Sequence, residues 1–411
     1  MKALTVQIGI FGRTNSGKST LMNFMTGQNV SIVSQLPGTT TDVVRKQMEL
    51  NPLGQITLFD TAGTDDASAL GSARIEKTKG VLDSCDIMLL LAESGKFGGF
   101  EKELIKEADK RKTPVIIVIS KTDLKMPDDD FIKEFKLQSK YVLEFSAVTG
   151  NRDGFLNALK KMLTEILPDN YMENYTALKN IVKKGDTVVL VTPIDAGAPR
   201  GKIIMPQIQA VRNILDLNAC AYVAQDGEYP AALNGLKTKP ALVITDSQVV
   251  KKASEITPKD IKLTTFSTLY AADKSDIVEM AKGAAVLKTL KTGDKVLIAE
   301  ACTHHASSGD IGKVKIPDSI KKYAGQNAEI DYVSGGDFPS AEELKKYKLI
   351  IHCGACVLNR KAMLARLNKA VEAGIAITNY GIAVSVMQGV IEKVLEIFPE
   401  ALKAYETAKM R

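Results

Sequence analysis

Short apolar runs alternate with amphipathic stretches through the first 165 or so residues. VQIGIFG, QITLFD, DIMLLLAE, PVIIVIS and YVLEFSA are continuous enough for buried strands, and helical periodicity fills most intervals between them. That order predicts an α/β domain with a largely parallel central sheet. The helical FLNALKKMLTEIL stops before Pro168, and the polar PDNYMENY continues no hydrophobic period, so a boundary is expected near residue 170. A looser stretch follows, with strands TVVLVTPID and PALVITD, a helix PQIQAVRNILDLN, and a Gly/Pro loop DAGAPRGK expected to be structural. From about residue 271 the βα alternation resumes: helix IVEMAKGAAVLKTL, strand KVLIAEA, helix IPDSIKKYAG, strands AEIDYV and KLIIHCG, and helix RKAMLARLNKAVEAG. Three domains are therefore expected, over 1–170, 171–270 and 271–411.

Composition narrows the classes. Apolar residues make up 45% and charged residues 25% of 411, which excludes a mainly disordered or collagen-like chain. No apolar run reaches membrane-spanning length, and MKALTVQIGIFGRTNSGKST meets glycines and polar residues before a secretory core could form. A soluble, cytoplasmic protein with no membrane partner is expected. Net charge is +6, but basic and acidic residues balance at 22 each over 1–170 and stand at 32 against 26 beyond. With the surplus spread thin and no Trp, nucleic acid is not an expected partner. Five cysteines are too few, and odd in number, for a disulfide framework.

Gly12-Arg13-Thr14-Asn15-Ser16-Gly17-Lys18-Ser19 fits G-x-x-x-x-G-K-[ST] between a predicted strand and a predicted helix. In such a loop the backbone N–H groups of Gly12 to Thr20 converge on phosphates, Lys18 neutralises β/γ oxygens, and Ser19 offers its hydroxyl to Mg²⁺. Asp60-Thr61-Ala62-Gly63 ends the strand QITLF, where Asp60 reaches Mg²⁺ through water and the Gly63 N–H meets a γ-phosphate. Ser120-Lys121-Thr122-Asp123 ends VIIVI. A carboxylate at Asp123 accepts both N1–H and N2–H of guanine, donors adenine lacks, so GTP is favoured, with Ser146-Ala147 supplying a further backbone contact to the base. With no histidine before 304 and no Gln after the DTAG sequence, intrinsic hydrolysis should be slow.

Six of the eight cysteines and histidines lie between 302 and 356: Cys302, His304, His305, His352, Cys353 and Cys356. They follow two predicted strands, KVLIAEA and LIIHCG, which as parallel neighbours would bring them to one sheet edge. Gly309, Gly312, Gly335, Gly336 and Gly354 suit close backbone approach there. Three thiolates with an open position suit an iron–sulfur cubane, and Cys₃His suits Zn²⁺; spacing leaves both open. Cys85 and Cys220 stand apart and are expected to be buried, inert thiols.

The motifs at 12–19, 60–63, 120–123 and 146–147 resemble the G1, G3, G4 and G5 boxes of translation-factor-class GTPases, and Gly38-Thr39-Thr40-Thr41-Asp42 resembles switch I of the TrmE/Era branch. That resemblance implies Thr40 as a Mg²⁺ ligand and Asn15 as a ligand for K⁺ in place of an arginine finger. Ser120 departs from the usual Asn, and Thr41 from the Arg of TrmE. Cys302-x-His304 with His352-Cys353-x-x-Cys356 resembles the C-x-H…H-C-x-x-C motif of the [FeFe]-hydrogenase maturation GTPases, the HydF family. It implies a homodimerising middle domain and a [4Fe–4S] cluster on Cys302, Cys353 and Cys356, with His304, His352, Glu300 or water as fourth ligand. It further implies a scaffold for the hydrogenase diiron subcluster, partnered by radical-SAM maturases and apo-hydrogenase. Two other classes stand beside it: a tRNA- or ribosome-associated GTPase with structural zinc, and an iron–sulfur redox enzyme.

Overall fold

The computed structural model describes residues 5–27, 44–61, 78, 80–167, 176–194, 203–302, 310–324, 328–335 and 338–410. The chain forms two compact units, Met1–Asn174 and Tyr175–Arg411. The loop at 195–202 and the polar stretch at 168–175 lie outside the described residues.

The first unit is built on six strands, β1 (Val6–Gly12), β2 (Val44–Glu49), β3 (Gln55–Asp60), β4 (Ile87–Glu93), β5 (Val115–Ser120) and β6 (Tyr141–Phe145), in the order β2-β3-β1-β4-β5-β6. All pairs are parallel except β2 with β3. Successive side chains of the inner strands feed opposite faces. Ile8, Ile10, Leu89, Leu91, Ile116 and Val118 join one core, while Phe11, Met88, Leu90, Ile117 and Ile119 join the other. Because both faces are covered, these strands read as unbroken apolar runs. The arrangement brings the carboxyl ends of β1, β3, β5 and β6 to one edge of a parallel sheet, where α/β folds bind ligands.

Among the described residues the second unit shows two four-stranded parallel sheets. One runs β10-β9-β7-β8, from β7 (Thr187–Val191), β8 (Cys220–Ala224), β9 (Leu242–Thr245) and β10 (Lys262–Thr265). The other runs β12-β11-β13-β14, from β11 (Lys295–Ala299), β12 (Glu329–Val333), β13 (Leu349–His352) and β14 (Ala376–Asn379). Chain crossings tie the sheets together: the Thr264 hydroxyl donates to Val394 O at 3.1 Å, and Asn379 Nδ2 to Ser267 O at 2.8 Å. Cys85 is buried as expected, but Cys220 is exposed, which corrects the expectation for that thiol. It opens β8, an edge strand paired only with β7, whose Tyr222 and Val223 are 46% and 43% exposed. Among the described residues no helix is long and apolar enough to cross a membrane.

Helix Ile277–Ala285 lies directly on the backbone of β14. A Cβ at Gly283 would stand 2.0 Å from Ile377 O and 2.6 Å from Ile377 C, atoms fixed by the sheet ladder. Gly283→Ala should therefore destabilise the second unit by about 3 kcal/mol, the upper end for overpacking. Urea unfolding measures this, and a change below about 0.5 kcal/mol would show that the helix can lift off freely.

Candidate functional site

The loop between β1 and helix Lys18–Thr26 is shaped by backbone conformations that few side chains tolerate. Gly12 has φ +152°, and a Cβ there would lie 2.7 Å from both Leu91 O and Ser16 Oγ. Asn15 sits at φ +62°, a left-handed conformation for which Asn is among the best non-glycine residues, and Gly17 at φ +99° caps the helix. Lys18 Nζ donates to Gly12 O at 3.0 Å and Arg13 O at 2.7 Å, drawing the buried ammonium against the loop. From Ser19, one residue into the helix, the hydroxyl donates to Asp60 Oδ2 at 2.5 Å. The other carboxylate oxygen, Oδ1, is buried with no hydrogen-bond partner. Burial raises the Asp60 pKa, against opposing contributions from Ser19, Lys18 and Lys46. A hydroxyl and a carboxylate in contact, with one buried oxygen unsatisfied, is a donor set suited to a small hard cation such as Mg²⁺.

Arg13, a variable position within the motif, ties this loop to a partner outside it. Its Nε and Nη2 donate to Glu101 at 2.7 and 3.0 Å, and Glu101, wholly buried, also accepts from the Gly98 N–H at 2.9 Å. The pair is bidentate, joining the phosphate loop to the helix after β4. At the far end of the sheet, Lys121 (φ +58°) donates to Glu93 Oε1 at 2.6 Å, while Asp123 is exposed beside it. Ser146 Oγ accepts from the N–H groups of Val148 and Thr149 at 3.2 and 3.0 Å, which shapes the loop after β6 and leaves Ala147 exposed. Ser120 Oγ is buried without a partner, too short to reach across as an Asn amide would. Thr40 and Gly63 lie outside the described residues, as do the rest of Gly38–Asp42.

In the second unit, β11 and β13 are parallel neighbours with Ala299 opposite His352, so their carboxyl ends carry Cys302 and Cys353 to the same edge. Cys353 N–H donates to Ala299 O at 2.8 Å, and Cys353 Sγ accepts from Ala301 N at 3.1 Å and Ala355 N at 3.4 Å. Backbone N–H groups aimed at sulfur support a thiolate ligand. Ala355, between the two cysteines, adopts φ +54°. Burial pushes the Cys353 thiol up to about 11 and raises Cys302, with the neighbouring cysteines adding to both shifts. None of the five cysteines is in a disulfide. Thiolates at these positions would suit zinc or iron alike, and among the described residues no three Cys, His, Asp or Glu side chains are drawn together as a metal cage.

His352 is wholly buried and held at both ring nitrogens. Nε2 faces Arg366 Nη1 at 3.0 Å, and because a guanidinium only donates, Nε2 accepts and Nδ1–H donates to Cys353 O at 2.8 Å. Burial and the Arg366 charge depress its pKa to about 3. The ring would have to release Arg366 before Nε2 met a metal. Glu300, also buried, accepts from Tyr380 OH at 3.2 Å, and Gly312 packs so closely that a Cβ would lie 2.4 Å from Glu300 Oε1. His304 and His305 lie outside the described residues.

Three sequence families match the chain in succession. Residues 7–121 match the family described as 50S ribosome-binding GTPase, residues 177–275 the hydrogen maturase F dimerization domain, and residues 278–397 the hydrogen maturase F tetramerization domain. The last two together take in more than half of the 411 residues. The chain belongs to the hydrogen maturase F family. Its N-terminal part is a GTPase domain, similar to GTPase Era of Caldicellulosiruptor saccharolyticus (29% identical over 177 residues, 41% of this chain and 58% of that protein). It is also similar to the tRNA modification GTPase MnmE of Synechococcus sp. (33% over 175 residues, 41% of this chain and 36% of that protein). The chain therefore spans only 58% and 36% of the lengths of these curated relatives. Among solved structures, Aquifex aeolicus Era is 20% identical and covers 56% of this chain and 97% of its own, at a TM-score of 0.35.

In this member of the hydrogen maturase F family, those motif residues that the structure describes, Thr40, Gly63 and His304 not among them, lie at or just after the carboxyl ends of strands. Their supports do not announce themselves. Glu101, Glu93 and Arg366 reach their partners across 88, 28 and 14 residues of chain. Only Glu101 leaves a trace, as the acid three residues after Gly98 at a helix start.

Proposed function

We propose that this protein is a GTPase scaffold that assembles a diiron subcluster precursor and delivers it to apo-[FeFe]-hydrogenase. The carrying observation is that one chain joins a phosphate-loop GTPase domain to a parallel sheet whose neighbouring strands β11 and β13 lead into Cys302 and into Cys353 and Cys356. Domains over 1–170, 171–270 and 271–411 would divide nucleotide binding, dimerisation and cluster binding. The dimerisation and tetramerisation families support self-association. Radical-SAM maturases supplying the precursor and the apo-hydrogenase receiving it are the further partners, in the cytoplasm.

GTP and Mg²⁺ would be held by Gly12, Asn15, Ser16, Gly17, Lys18, Ser19, Thr20, Thr40, Asp60 and Gly63, and the base by Ser120, Lys121, Asp123, Ser146 and Ala147. Lys18, Thr40 and Gly63 would act on the γ-phosphate during hydrolysis to GDP and phosphate. Cys302, Cys353 and Cys356 would hold a [4Fe–4S] cluster, with His304, His352 or Glu300 at the fourth position. When bound, the cluster would supply an iron with an exchangeable position to which a precursor ligand can bridge. Metal analysis with EPR on anaerobically purified protein tests the proposal. About four irons per chain and a [4Fe–4S] signal are expected; about one zinc and no brown absorbance would replace it with a structural zinc site.

Two nucleotide predictions follow from the site. Asp123→Asn should weaken GTP and improve xanthosine triphosphate, because an amide donates where the carboxylate accepts; unchanged selectivity in a competition titration would move base recognition elsewhere. Asn15, exposed at the left-handed turn of the phosphate loop, would share in holding a monovalent cation. Hydrolysis should then be faster in K⁺ than in Na⁺ at equal ionic strength, with the ion taking an arginine's charge-neutralising role. Equal rates in both salts would exclude that role.

A further inference from the structure

Lys274 is the last residue of helix Phe266–Lys274, far in sequence from the cysteine motif. Its Nζ donates to Ala355 O at 3.0 Å, Cys356 O at 3.4 Å and Leu358 O at 2.8 Å, three carbonyls of the single loop that leaves β13. An ammonium offers three donors, one for each of these carbonyls. The ring of Tyr270 lies 4.8 Å away as a cation–π partner. The adjacent carboxylate, Asp273, directs Oδ1 to the Ala177 N–H at 2.6 Å, so the three acceptors of the ammonium are neutral backbone dipoles.

The loop it grips includes the left-handed Ala355 between Cys353 and Cys356. Tying the carbonyl of that residue and those of Cys356 and Leu358 after it opposes relaxation to an ordinary conformation, and so restrains the separation of the two thiols. A full positive charge fixed beside a cluster of net negative charge also favours its reduced, more negative state, since charge and hydrogen bonding around the sulfurs set the potential.

We propose that Lys274 is a positioning residue for the cysteine pair, holding the Cys353–Leu358 loop in a ligating shape and making the bound cluster easier to reduce. This rests on the proposal that Cys302, Cys353 and Cys356 carry a [4Fe–4S] cluster.

The test uses the full chain with Lys274→Met, which removes charge and donors, and Lys274→Arg, which keeps the charge. Hydrogen exchange on metal-free protein should show the amides of residues 353–358 exchanging at least about tenfold faster in the Met variant, with the rest of the second unit unchanged. An EPR redox titration after reconstitution should show the Met variant about tenfold harder to reduce, a fall of about 59 mV for one electron. The Arg variant should stay near the native potential. Should Met prevent folding, Lys274→Gln, neutral but still a donor, carries the potential measurement. Native-like loop exchange together with a native potential in the neutral variants would overturn the proposal. If the native chain took up no cluster, the potential-setting role would fall with the cluster assignment, while loop exchange would still decide whether Lys274 holds the loop.

Discussion

Lys18→Ala should lower GTP hydrolysis by at least about 10²-fold, the usual loss when one preorganised charge-stabilising donor is removed. The lysine sits one residue past the αL glycine that caps its helix, buried, with its ammonium on the carbonyls of Gly12 and Arg13. Those carbonyls belong to the loop that would wrap the phosphates, and with nucleotide bound the charge would meet the negative charge that grows as the γ-phosphoryl group departs. Alanine removes the charge and is the best helix former, so helix Lys18–Thr26 keeps its propensity and its buried Leu21, Met22 and Met25. Other supports of the loop stay: Arg13 on Glu101, and Ser19 on Asp60. Phosphate release measured beside circular dichroism separates the effects. A variant that folds and retains more than about a tenth of native turnover would show that the rate rests on other groups.

What was legible in the sequence was whatever one segment decides alone. Strands covered on both faces, such as Ile87–Glu93 and Val115–Ser120, read as apolar runs, and the phosphate loop reads as an octapeptide because its chemistry is local backbone wrapping. β2, VRKQME, alternates half-buried and exposed positions at an antiparallel sheet edge, so it never resembled the inner strands. β8 is an exposed edge strand, and β10, KLTT, and β14, AITN, are at least half polar, so neither of these two reads as an apolar run, unlike the equally short β9, LVIT, and β13, LIIH. Cys220 is exposed because of that edge position: a cysteine in a short apolar run reads as buried, but among the described residues β8 is the sheet's edge. Side chains that brace the sites, Glu101, Arg366 and Lys274, are set by tertiary approach and resemble ordinary helix surface charges in a linear scan.

Losing any one of Cys302, Cys353 or Cys356 should abolish a stable [4Fe–4S] cluster, whereas losing His304 or His352 should leave it assembled with an altered EPR signal. Thiolate is the ligand soft iron selects, and a cubane held by three protein sulfurs has none to spare. The structure sharpens the expected contrast among the cysteines. Cys353 Sγ accepts two backbone N–H groups, so Cys353→Ser also strands donors that suited sulfur and should cost folding stability as well as iron. Cys356 lies past the left-handed Ala355 in a loop gripped through its carbonyls, so Cys356→Ser should lose iron with little change in the thermal unfolding of the metal-free chain. His352→Ala would free the Arg366 guanidinium, whose Nη2 still holds Gly335 O at 2.5 Å, and the change should be felt as destabilisation as much as in the spectrum. Iron content, EPR and thermal melts on the same preparations distinguish these outcomes. Cysteine variants that kept the full iron signal would place the cluster elsewhere, and the GTPase domain, whose residues lie in the other unit, would be untouched by that result.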